Sequence, residues 1–147
     1  MQTFLPYPNF RASAICLDSP RLGKQRVEVL QLLKGSWPNH PAALMWRGFK
    51  RALAAYGLAI CDEWIARRNA DSVRPQILAI TGEPIPTQET VPMPPWLGRE
   101  SFHASHRANL LRKDADWYSS FGWADSPLLP YEWPVNDDPR LFNFVRK

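Results

Sequence analysis

Residues 18–35, DSPRLGKQRVEVLQLLKG, decide the fold class. Asp18-Ser19-Pro20 is a helix start: a capping side chain, then proline in the first turn, where a missing N–H costs nothing. From Pro20 to about Lys34 the residues Leu22, Val29, Leu30 and Leu33 form an apolar stripe, and Gly35 marks the end. Arg21, Lys24, Glu28 and Gln31 follow the spacing i, i+3, i+7, i+10 and line the opposite, polar stripe. A helix built this way needs other helices to cover its apolar side.

Working outward, a second helix opens after Asn39-His40-Pro41. Met45, Phe49, Ala52, Leu53, Tyr56, Ile60 and Trp64 recur at helical spacing, as one helix to about Arg68 or as two pieces broken near Gly57. Asp71-Ser72 starts a short helix to about Ile80, with Pro75 limiting its start. Gly82 to Gly98, with five prolines, reads as an extended crossing over the core. The stretch FHASHRANLLRKDADWYSSFGW, residues 102–123, belongs to a helix expected from about Arg99 to Ser120. Toward the N-terminus, Thr3 to Tyr7 is a short apolar segment closed by Pro6 and Pro8. The last 25 residues form an irregular tail in which Tyr131, Trp133, Phe142 and Phe144 are available for packing. No strand alternation is visible. The expectation is an all-α protein, a compact helical single domain over residues 1–147.

Composition agrees. A chain of 147 residues with 45% hydrophobic content buries one good core. The net charge of +4 is compatible with a polyanionic partner without identifying one. Cys16 and Cys61 lie far apart and lack metal-ligand spacing, which fits a reduced, cytoplasmic setting. No apolar run approaches the roughly 20 residues of a membrane span, and the opening MQTFLPYPNFRAS lacks the regions of a signal peptide. The 7 Trp serve equally for a core or for a nucleic-acid surface.

Several side chains are candidates for chemistry. Basic residues beside aromatic planes suit a phosphate backbone and stacked bases, and residues 99–123 hold Arg99, Arg107, Arg112 and Lys113 among aromatics. Glu28 shares a helix face with Arg21 and Lys24, and Arg26 lies nearby. The same pattern fits an ordinary Lys24–Glu28 surface pair. His40, at a helix mouth, suits a phosphate contact or a simple cap. His103 and His106 lie three apart, but no third ligand completes a metal set. Ser105, His106 and Arg107 are adjacent on a helix and point in different directions, so they form no triad. Neither standard Gly-rich phosphate loop occurs.

Five blocks, MQTFLPYPNF, LDSPRLGKQRVEVLQLL, NHPAALMWRG, PPWLGRESFHASHRANLLRKD and PYEWP, span nearly the whole chain. In them the sequence resembles a bacterial family of cytoplasmic proteins related to pyrimidine-dimer DNA glycosylases. More remotely it is similar to the T-even phage enzyme type, all-α proteins that flip a nucleotide and cut its glycosidic bond. Glu28 stands where that family carries its catalytic glutamate, His40 matches its middle-helix histidine, and Trp117-Tyr118 followed by Gly122 matches its aromatic segment.

The resemblance implies a DNA glycosylase acting on double-stranded DNA as a monomer, without cofactor, metal or membrane. Glu28, with His40 as the second catalytic residue, would stabilise the positive charge that builds on the sugar. Arg21, Lys24 and Arg26 would steer phosphates, and His106, Arg107, Trp117 and Tyr118 would hold and stack on the opened strand. Glu28, His40, His106 and Arg107 should then meet in one cleft, with a positive face made by Arg21, Lys24, Arg26 and Arg107.

One departure bears on the mechanism. The phage-type enzymes attack with the α-amino group of a small second residue, whereas here the second residue is Gln2. Either Met1 supplies the amine, or water attacks and only the base is removed; the second is the expectation. Damaged bases and hypermodified phage bases, the latter in antiphage defence, are both open as substrates. A non-catalytic nucleic-acid-binding module and an enzyme of free nucleotides are the alternatives.

Overall fold

The computed structural model describes residues 1–137, and among them all regular structure is helical. The helices are α1 (Phe10–Cys16), α2 (Ser19–Leu33), α3 (Pro41–Trp46), α4 (Lys50–Ala66), α5 (Val73–Thr81), α6 (Glu100–Lys113) and α7 (Ala115–Tyr118). Short 3-10 turns follow at Ser119–Phe121 and Pro134–Asp137. Among the described residues, no helix is long and apolar enough to cross a membrane.

The all-α expectation holds, and α2 follows its sequence closely. Asp18 caps it, and Leu22, Val29, Leu30 and Leu33 are all buried. Two other boundaries differ. The break in the second helical stretch falls at residues 47–49, where Gly48 takes a φ of +85°, and α4 runs unbroken through Gly57. Gly57 serves packing instead: a Cβ there would lie 2.6 Å from Val29 Cγ1 on α2 and 3.0 Å from Ile77 Cδ1 on α5. Gly23 does the same from α2, where a Cβ would meet the Trp64 ring at 2.8 Å. The two glycines let α2, α4 and α5 approach closely.

The helix expected over Arg99 to Ser120 is two helices. Asp114 leaves the helical region (φ −153°, ψ 78°), and its side chain accepts the N–H of Trp117 at 3.2 Å, capping α7. The α1 helix went unread in the sequence. It is short and begins where Asn9 Oδ1 accepts the Ala12 N–H at 2.9 Å. In α5, Asp71 accepts the N–H groups of Val73 and Arg74 at 3.2 and 2.8 Å, and Pro75 sits in the first turn, where it breaks no hydrogen bond.

Aromatics from three helices and the 82–98 crossing fill the centre. Trp46 stacks on Tyr56 and meets Trp96 edge-on at 5.0 Å, and Trp96 reaches Phe102 at 4.9 Å. The tail crosses α6, where Asn109 Nδ2 donates to Leu129 O at 3.2 Å and Ser105 Oγ accepts the Glu132 N–H at 3.1 Å. Tyr131 and Trp133 pack against the core as the sequence suggests. Phe142 and Phe144 lie outside the described residues.

Candidate active site

Residues 2–5 belong to no helix or strand. Side chains from three helices satisfy their backbone instead, as buried peptide groups require. From α2, Gln25 accepts the Phe4 N–H through Oε1 and donates through Nε2 to Gln2 O, both at 2.7 Å. From α4, the Tyr56 hydroxyl donates to Phe4 O at 2.5 Å. From α6, His106 Nδ1 accepts the Leu5 N–H at 2.8 Å, and His103 Nδ1 lies 2.7 Å from Leu5 O. His103 Nε2 accepts the Gly98 N–H, so its Nδ1 carries the proton and donates. Trp46 Nε1 donates to the Thr3 hydroxyl at 3.0 Å. This clamp fixes Met1 at the polar face of α2.

There a cavity of about 410 Å³ opens, lined by Met1, Gln2, Phe4 and Tyr131 together with Arg21, Lys24, Glu28 and Lys113. The helical spacing of Arg21, Lys24 and Glu28 puts all three on this wall. Glu28 is half-buried. Loss of hydration raises its carboxyl above the usual range, and the Met1 amine and Lys24 partly offset that rise. His40 caps α3, its Nδ1 accepting the Ala42 N–H at 3.0 Å, and its ring lies edge-on to Trp133 at 5.8 Å. Partial burial, then the charge of the same Met1 amine, push its pKa below the ordinary 6.5, so the ring is neutral near pH 7. Glu28 and His40 therefore share one electrostatic neighbour, although only Glu28 lines the cavity.

The remaining sequence candidates divide. Trp117 is 41% exposed, with Nε1 donating to Cys16 O at 2.8 Å, and can present a ring face to solvent. Tyr118 is fully buried and hydrogen-bonds the Asp18 carboxylate at the start of α2. His106 is also fully buried. A side chain without exposed surface cannot stack on a base, so these two support the site from behind.

Arg26 turns to the other side of α2. There it pairs with Asp71 and lies 4.6 Å over the Trp64 ring. Arg107 is held by Asp125 at 2.7 Å and by Glu100, and donates to Pro6 O at 2.9 Å. The expected positive face of Arg21, Lys24, Arg26 and Arg107 thus reduces to Arg21 and Lys24, with Lys113 added from the end of α6. Of the expected cleft of Glu28, His40, His106 and Arg107, Glu28 lines the cavity and His106 lies behind its wall, while Arg107 is engaged elsewhere.

Sequence reasoning offered Met1 only as the less favoured attacking group and did not place Gln2, Phe4 or Tyr131 at the site. The signal for them was indirect: a histidine pair three apart on an otherwise apolar helix face, free to bind backbone. Among the described residues, no group of three or more His, Cys, Asp or Glu could hold a metal ion.

A family model described as pyrimidine dimer DNA glycosylase matches residues 1–74, half of the chain. The chain belongs to the pyrimidine dimer DNA glycosylase family. No curated protein and no solved structure matches it. The family match covers the clamped N-terminal segment and α1 through α4, and so contains Met1, Glu28 and His40. Lys113, His106 and Tyr131 come from the half of this glycosylase-family chain beyond the match.

Proposed function

We propose that this protein removes a damaged or modified base from double-stranded DNA after the nucleotide is flipped into the cavity at Glu28. The observation that carries the reading is the carboxylate of Glu28, partly stripped of water and facing the Met1 amine in a cavity with three further cations. As the C1′–N bond lengthens, positive charge gathers on the sugar, and a poorly hydrated carboxylate stabilises it strongly. Arg21, Lys24 and Lys113 neutralise phosphates beside the flipped nucleotide, and the exposed Trp117 ring stacks on an unpaired base. Neutral His40 holds the start of α3 beside the amine.

The place of Met1 favours its amine over water as the attacking group. In that step an amine nitrogen bonds to C1′, the base departs with the electrons of the broken C1′–N bond, and the amine gives up a proton. The resulting aminal then opens its C1′–O4′ bond, the ring oxygen taking a proton, and the imine so formed allows strand cleavage to follow.

The test is base release from duplexes that are unmodified, ultraviolet-irradiated or phage-modified, with wild type beside Glu28→Gln and with borohydride added in parallel. Abasic sites formed by wild type and lost in the variant support the glycosylase, and a covalent protein–DNA product after borohydride supports the amine. Salt-sensitive binding without base release from any duplex would leave a binding module.

A further inference from the structure

Leu128 is 82% exposed, the most open large apolar side chain among the described residues. It stands at the tip of the loop DSPLLPYE, residues 125–132, and that loop is held at many points. The Leu129 N–H donates to Ser126 O at 3.2 Å and the Leu128 N–H to Ser126 Oγ at 3.3 Å, closing a turn. Pro127 and Pro130 fix φ on either side of the two leucines. Four side chains of α6 then pin the loop from below. Arg107 pairs with Asp125 at 2.7 Å, Arg112 donates to Pro127 O and Leu129 O, Asn109 donates to Leu129 O, and Ser105 accepts the Glu132 N–H. An exposed leucine is ordinary in itself. Here both carbonyls that flank it are bound, so its backbone is fixed while its side chain stays in water. Ordering a loop costs conformational entropy, and an apolar tip left in water returns none of it.

The loop leads straight to the Glu28 cavity. Tyr131, three residues beyond Leu128, lines that cavity, and so does Lys113, the neighbour of Arg112. Three residues of chain span at most about 11 Å, so the leucine stands near the rim. A nucleotide drawn into the cavity leaves a slot in the duplex, one base step or about 3.4 Å high on that strand. The slot is walled by the apolar faces of its neighbours. An aliphatic side chain placed there buries its own surface and keeps the stack from closing again. Arg21, Lys24 and Lys113 around the cavity attract a polyanion, which favours a duplex over an apolar protein surface as the occupant.

We propose that Leu128 is a wedge that enters the DNA stack where the nucleotide has left it, with the 125–132 loop as its rigid mount. The inference deepens the glycosylase reading and rests on it for the displaced nucleotide. Leu128 is a positioning residue: it touches the bases beside the target and not the bond that breaks.

The test measures binding without catalysis. Two duplexes differ only at one central position, a normal nucleotide in one and a tetrahydrofuran abasic analogue in the other, with 2-aminopurine as the next base in both. The full chain should bind the abasic-analogue duplex more tightly and change its 2-aminopurine fluorescence. Leu128→Ala should lose about tenfold of that preference, the scale of withdrawing an aliphatic side chain from an apolar slot. It should also lose the fluorescence change, yet keep the intact-duplex affinity and the salt slope. Leu128→Met should restore both readouts. Wild type that binds the two duplexes alike, an unaltered preference and fluorescence response in Leu128→Ala, or an equal loss on both duplexes would overturn the wedge. So would a dimeric wild type that Leu128→Ala converts to a monomer, since the side chain would then belong to an interface between copies. Base release that persists without any Leu128-dependent fluorescence change keeps the glycosylase and removes the wedge. A Leu128-dependent preference in a protein that releases no base from any duplex keeps the wedge and removes the glycosylase.

Discussion

His106 Nδ1 accepts the backbone N–H of Leu5 at 2.8 Å, a bond between residues 101 positions apart. It ties the N-terminal segment to α6 and holds only while the ring nitrogen is unprotonated. Complete burial pushes the His106 pKa down to about 3, with His103 adding a smaller effect in the same direction. The unfolded chain, where the ordinary value is 6.5, therefore binds a proton that the folded one refuses. The stabilisation is complete above about pH 6.5 and erodes as pH falls towards 3. Urea unfolding midpoints should drop between pH 7 and pH 5 in wild type, and less steeply in His106→Asn. Parallel profiles for the two proteins would remove His106 from the account.

Glu28 shows the opposite sign. Its raised carboxyl pKa means that the folded state pays for holding the ionised form, so the cost is absent at low pH and grows as pH rises through the folded value. Glu28→Gln should raise the thermal midpoint at pH 7 and change it little below pH 4. In the same variant base release should fall roughly 10²–10³-fold, the scale of losing an electrostatic contact to the transition state. Binding to duplex DNA should persist or tighten, as one negative charge leaves a phosphate site. A stabilised variant with full turnover would sink the assignment.

Arg26 and Lys24 share a helix but not a fate. Arg26→Ala breaks the Asp71 pair and the Trp64 contact, and should lower stability while leaving DNA affinity close to wild type. Lys24→Ala and Lys113→Ala should do the reverse. Each should reduce the slope of log affinity against log salt by about 1, the release of one counterion. Fluorescence anisotropy of a labelled duplex over a salt series measures both.

Gly57→Ala should destabilise the protein by about 1–3 kcal/mol, because the added methyl meets Val29 and Ile77 inside a packed core. Val29→Ala in the same chain should recover part of that loss, since it removes the methyl 2.6 Å away. Additive losses in the double variant, measured by urea unfolding, would place the conflict elsewhere.

Legibility followed distance along the chain. The α2 helix, its buried stripe and the shared face of Arg21, Lys24 and Glu28 were readable because capping and periodicity act within a few residues. Gly57 was misleading: glycine weakens an isolated helix, but here its missing Cβ admits a neighbouring helix, and that neighbour cannot be seen locally. Asp114 broke a helix that aromatic content alone had extended. His106 and Tyr118 read as surface contacts because composition does not report burial. Met1 and Gln2 reach the site through a clamp drawn from α2, α4 and α6, and Tyr131 through the tail, and no local pattern encodes such meetings.

The way residues 2–5 are held has a consequence for the order of events during folding. Their backbone borrows partners from Gln25, Tyr56, His103 and His106, so the segment has nowhere to settle until α2, α4 and α6 have assembled. This segment is thus among the last parts of the fold to find its place. A partly folded chain therefore carries Glu28 without its companion amine and without an assembled cavity.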